Sequence, residues 1–204
     1  MSSIIKLNEA LSLIIASIVV SLVFGLDYLL SGNLVVFSII STGAIIAMVP
    51  HELAHRWSAR RMGCYSRYVL DPTGLLLTII TAIPFIPFKI IMPGYTLVIS
   101  HHYDPMENKR INGVVSLAGP VTNILFATIS FFTVVLCLKT MMCSMLLFGL
   151  AYWTALLNSW VAFFNLLPIP PLDGSKVISW KPILWIISFV FSIGLFITLQ
   201  FGLF

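Results

Sequence analysis

The chain has 204 residues, of which 59% are apolar and only 9% charged, and its mean hydropathy is +1.06. About a quarter of the residues in an ordinary soluble domain carry charge, so this composition excludes that class. The net charge of +4 does not mark a nucleic-acid binder, because the basic residues sit at the ends of apolar runs rather than on an exposed polar face.

Between positions 10 and 49 the sole ionisable acid or base is Asp27, and positions 111–138 and 183–204 carry no charge. Apolar stretches of about 20 residues cross the hydrocarbon layer as helices. Taken in chain order, the runs predict helices at 10–30, 34–60, 111–138, 144–167 and 183–204. The first is expected to be a retained helix, since no small-residue cleavage site comes before Asp27 and Tyr28. A tight Ser31-Gly32-Asn33 turn makes an antiparallel hairpin of the first two.

The segment 62–110 is not an ordinary loop. Its apolar runs at 75–83, 85–88 and 95–100 are broken by Pro72, Gly74, Pro84, Pro87, Pro93 and Gly94. Runs this short fit strands or a re-entrant element in the membrane face, expected within about 66–103. The edge of such a sheet, taken as 75–100, is able to pair with an extended peptide. Cys137 and Cys143 flank the short loop between the third and fourth helices. They either pair, if that loop faces an oxidising compartment, or serve as small apolar residues near helix ends. Three cysteines are too few for a disulfide scaffold. The expected architecture is a polytopic α-helical membrane protein. It forms a single membrane-embedded domain over 1–204, with no room for a soluble accessory domain.

Positive charge orients the spans. Lys6, Arg56, Arg60, Arg61, Arg67, Lys89, Lys109, Arg110, Lys176 and Lys181 fall on one side of a five-span arrangement, and Lys139 alone on the other. Positive residues accumulate on the cytoplasmic side. The expectation is a multi-pass cell-membrane protein with a cytoplasmic N-terminus and active-site face and an external C-terminus.

Chemistry concentrates at Val49-Pro50-His51-Glu52-Leu53-Ala54-His55-Arg56-Trp57, at the inner end of the second helix. His51 and His55 are four residues apart, so both imidazoles leave one helix face and are able to hold one metal ion. Glu52 reaches a metal-bound water without being a ligand and suits a general base. Two buried histidines are also found simply as hydrogen-bonded core residues, but ionisable groups inside a membrane are costly and default to function. A third ligand is offered by Asp173, in Asn165-Leu166-Leu167-Pro168-Ile169-Pro170-Pro171-Leu172-Asp173-Gly174 at the inner end of the fourth helix. Its depth matches that of the histidines, and the alternative is a turn residue before Gly174. The prolines forbid regular helix and leave an extended stretch. Asn165 offers an amide donor for an oxyanion, or caps the broken helix end. Asn123 suits interhelical hydrogen bonding. His101-His102 is a weak second metal candidate, because adjacent side chains on a strand point apart.

Together, His51-Glu52-Leu53-Ala54-His55, Ala118-Gly119-Pro120-Val121-Thr122-Asn123 and the run from Asn165 to Gly174 resemble the site-2 protease family of intramembrane zinc metalloproteases. The resemblance covers the second to fourth helices, well over half of the chain. It implies one Zn²⁺ per chain held by His51, His55 and Asp173, with Glu52 as catalytic base and Asn165 near the reacting centre. The family's usual peptide-binding accessory domain is absent, which implies a minimal form. The implied partners are membrane-protein substrates with a transmembrane segment and the lipid bilayer, with no nucleic acid. The competing reading is a zinc-binding membrane scaffold or carrier without proteolytic activity. A carrier needs polar groups along more of its path, and the outer halves of these helices are almost bare.

Overall fold

The computed structural model describes residues 7–83, 85–86 and 88–203. Lys6, Pro84, Pro87 and Phe204, which entered the expectations above, lie outside the described residues. The chain folds as α1 (Glu9–Leu30), α2 (Leu34–Arg61), β1 (Tyr65–Leu70), α3 (Pro72–Thr81), β2 (Gly94–Ile99), α4 (Pro105–Thr140), α5 (Met145–Asn165), α6 (Asp173–Trp180) and α7 (Pro182–Gln200). Five of these helices, α1, α2, α4, α5 and α7, are long and apolar enough to cross a membrane. The protein is a polytopic α-helical membrane protein with a small β hairpin between its second and third spans.

Side chains set the helix starts. Asn8 accepts from the Leu11 N–H at 2.8 Å and Asn33 from the Val36 N–H at 3.2 Å, satisfying donors that a helix end leaves bare. Gly32, at φ +76°, turns the chain between them. Small residues such as Ala16, Ala44 and Ala47 are fully buried where α1, α2 and α5 meet, because tight backbone approach is what packs helices in lipid. The loop from α4 to α5 is closed by a disulfide between Cys137 and Cys143, which resolves the pair of alternatives for these cysteines.

The run at 75–83 is largely helix, not strand. Asp71 Oδ2 accepts from the Gly74 N–H at 2.7 Å and Pro72 occupies the first turn of α3, and an Asp-Pro start of this kind outweighs the β-branched content that follows. The returning chain is bonded onto α3, with the Met92 N–H donating to Thr78 Oγ1 at 3.1 Å and the Ile90 N–H to Thr81 Oγ1 at 3.2 Å. Lys89 Nζ caps the end of α3 at the Thr81 carbonyl, 2.8 Å away. These bonds tie the returning chain to α3 and satisfy part of its backbone within the protein. The sheet is therefore not 75–100 but two antiparallel strands, with Tyr68 opposite Thr96. The segment expected to be extended before Asp173 is instead a series of turns, and α6, which the apolar pattern left unassigned, follows it.

The hairpin has one closed edge. The Tyr68 N–H donates to Glu9 Oε1 at 3.1 Å and the Ser66 carbonyl accepts from Arg60 Nη2 at 3.1 Å. Both groups therefore point away from β2, which makes Tyr68 and Thr96 a non-hydrogen-bonded pair. By the same alternation the backbone N–H and C=O of Gly94, Thr96 and Val98 turn away from β1. Among the described residues, Glu9 of α1 and Arg60 of α2 bond the outer edge of β1, and no backbone hydrogen bond is made to that of β2.

Candidate metal centre and active site

Three side chains from two helices converge on one point. His51 and His55 project from a single face of α2, and Asp173 is the first residue of α6. The two Nε2 atoms lie 2.9 Å apart, and Asp173 Oδ2 lies 3.6 Å from that of His51 and 3.1 Å from that of His55. Four-coordinate zinc with ligand bonds of about 2.0–2.1 Å needs donors about 3.3 Å apart, and these separations bracket that value. Among the described residues this is the cluster of three candidate metal ligands.

The hydrogen-bond network puts the proton of each neutral imidazole on Nδ1. Asn158 Nδ2 donates to the Thr154 carbonyl, so its Oδ1 is turned to accept from Asn123 Nδ2, which also donates to the Ala47 carbonyl, each at 2.8 Å. The orientation of the Asn123 amide is thereby fixed, and its Oδ1 meets His51 Nδ1. An amide oxygen accepts only, so that nitrogen carries the proton. His55 Nδ1 likewise donates to the Val115 carbonyl at 2.7 Å. In its neutral form each imidazole then turns an Nε2 lone pair toward the other and toward the Asp173 carboxylate. In a buried site that arrangement calls for a cation between them.

Gly119 makes the close approach possible. A Cβ built there would stand 2.7 Å from His51 Cε1 and closer still to His55 Nε2. No side chain other than hydrogen leaves room for both rings against α4.

Beside the cluster opens a cavity of about 610 Å³. Glu52, Asp173, Lys176, Asn165 and consecutive residues of β2 line it. Glu52 is buried, and its Oε2 accepts from Thr96 Oγ1 at 2.9 Å. It is not one of the three convergent donors. Asn165 stands on the cavity wall and donates one amide N–H to the Val161 carbonyl at 3.0 Å. That bond is the helix-end role the sequence left open, and it leaves the second N–H of the amide over. His101 and His102 are exposed and join no cluster.

Sequence reasoning missed three groups here. Asn123 was read as an interhelical bonding residue, which it is, but its grip on His51 follows only from where α4 crosses α2. Lys176, whose Nζ lies 3.7 Å from Asp173 Oδ1, is one turn along from the aspartate on α6 and required that helix to be recognised. Thr96 is brought to Glu52 by the hairpin and left no local signal.

No solved structure and no family model matches the chain. Two relatives do. A Methanocaldococcus jannaschii protein named "Putative zinc metalloprotease MJ0611" is 34% identical over 170 residues, which cover 81% of each chain. A Bacillus subtilis protein named "Putative zinc metalloprotease YwhC" is 32% identical over 151 residues, 66% of this chain and 64% of that one. With the ligand geometry described above, the first of these matches is decisive: the chain belongs to this zinc metalloprotease family.

Proposed function

We propose that the protein is an intramembrane zinc metalloprotease of the site-2 protease type, hydrolysing peptide bonds within or near the transmembrane segments of other membrane proteins. The observation that carries this reading is the convergence of His51, His55 and Asp173 beside Glu52, at the inner ends of apolar helices and on the wall of a cavity. When bound, one Zn²⁺ held by these three residues supplies Lewis-acid polarisation and an acidified water. Glu52 is the proton carrier: as general base it would take a proton from the attacking water and as acid return it to the leaving amine. Thr96 holds the carboxylate of Glu52, and Asn123 and Val115 fix the imidazoles in the ligating tautomer. The second N–H of Asn165, on the cavity wall, is the donor we assign to the developing oxyanion, and loss of such a donor typically costs about 10²–10³ in rate.

A peptide bond inside a transmembrane helix is hydrogen-bonded and hidden, so the substrate must unwind before it is cut. The unbonded edge of β2 receives the unwound stretch as an added strand. The charge asymmetry supports a cytoplasmic site and an external C-terminus. The Cys137–Cys143 disulfide supports the same orientation, since it puts the α4–α5 loop in the oxidising compartment.

Zinc per chain in purified protein tests the site. Wild type is expected to hold close to one, lost in His51→Ala and in Asp173→Ala, whereas Glu52→Gln keeps the metal and loses cleavage. Zinc binding with no cleavage by wild type would favour the scaffold or carrier reading, and turnover by Glu52→Gln would remove Glu52 as the base.

A further inference from the structure

We propose that Thr96 is a positioning residue that couples substrate docking to the general base; the inference rests on the proteolytic reading above. Three observations meet in this one residue. Its hydroxyl donates to Glu52 Oε2 at 2.9 Å and also stands 3.4 Å from the Glu52 carbonyl. It lies opposite Tyr68, whose backbone N–H is turned out to Glu9, so the backbone N–H and C=O of Thr96 point to the other, unbonded side of the hairpin. Finally, β2 supplies the cavity wall facing the metal ligands through residues 94–98.

A strand added to β2 therefore bonds the backbone of the same residue whose side chain holds the carboxylate. Glu52 has two oxygens. The one bonded to Thr96 is held in place, and the other is left to face the water. Without the threonine, a carboxylate on a flexible side chain swings, and misplacement of a catalytic group by about 1 Å costs on the order of 10²-fold in rate. Docking a strand stiffens β2, and through the hydroxyl it stiffens the base. Thr96 touches neither metal nor substrate through its side chain, so its effect is expected in the chemical step and not in affinity.

The test compares Thr96→Val, which keeps shape and β-propensity, with Thr96→Ser, which keeps the hydroxyl. Purified zinc-loaded enzyme in detergent is assayed on fluorescently labelled casein, an extended chain that needs no unwinding, and zinc per chain and thermal midpoint are measured alongside. The expected result for Thr96→Val is kcat down by about 10- to 100-fold, with KM within about twofold and zinc unchanged. Thr96→Ser is expected to return most of that loss. Unchanged kcat in Thr96→Val, or an equal defect in both variants, overturns the proposal, as does a loss carried by KM or by lost zinc. Wild type and Glu52→Gln in the same assay separate the two failures: no turnover by zinc-loaded wild type sinks the proteolytic reading, and turnover by Glu52→Gln removes Glu52 as the base, whereas an active wild type and a dead Glu52→Gln beside a fully active Thr96→Val sink only the role of Thr96.

Discussion

His51 is held at three removes. Thr154 orients Asn158, Asn158 orients Asn123, and Asn123 fixes which nitrogen of the neutral imidazole is bare. Outer partners of this kind typically contribute 10- to 100-fold to metal affinity, so Asn123→Leu is expected to weaken zinc by about that factor; a competition titration with a chelator reads it. Gly119→Ala places a methyl between the two rings, and is expected to lower zinc per chain while the protein still folds, which metal analysis and far-UV circular dichroism check together. The histidines, Glu52 and Asp173 were legible because charge is rare in apolar sequence and stands out. Asn123 was half legible: its polarity inside a span predicted a partner, but nothing local named His51.

At the scale of elements, periodicity and apolar length found all five long helices, with ends displaced by a few residues where caps decide. Asp104 accepts from the Met106 N–H at 3.0 Å and starts α4 at Pro105, ahead of the apolar stretch that predicted it. The short elements were less legible, since hydropathy does not separate a ten-residue re-entrant helix from a strand. In α3 the deciding residues are Asp71 and Pro72, a pair visible in the sequence but overlooked beside the β-branched run. The hairpin also depends on a distant element. Glu9 at the start of α1 accepts from the buried Tyr68 N–H and pairs with Arg56 Nη1 at 2.9 Å. Glu9→Ala strands that N–H, and is expected to lower stability by about 1–3 kcal/mol, measured as a fall in thermal midpoint in detergent.

For the whole molecule, ten of eleven basic residues on one side and a disulfide on the other are two independent signs of the same orientation. A reporter fused after the last residue is expected outside the cell, and an impermeant maleimide is expected to label Cys137 and Cys143 in intact cells only after reduction. Internal location of the reporter would overturn the five-span orientation. The disulfide itself was legible only as a possibility, because six residues of separation permit a bond but do not require one. In the proposed orientation the metal ligands lie toward the inner face and the Cys137–Cys143 loop toward the outer one.

On the proposed docking of substrate to β2, one closed edge and one open edge of the hairpin amount to a ruler. A guest strand on β2 keeps its hydrogen bonds and its facing side chains only if it slides by an even count, because strand geometry repeats every two residues. Wherever a substrate is cut at more than one bond, the products should then form a ladder with rungs two residues apart, and intact-mass spectrometry of the fragments would display its spacing directly.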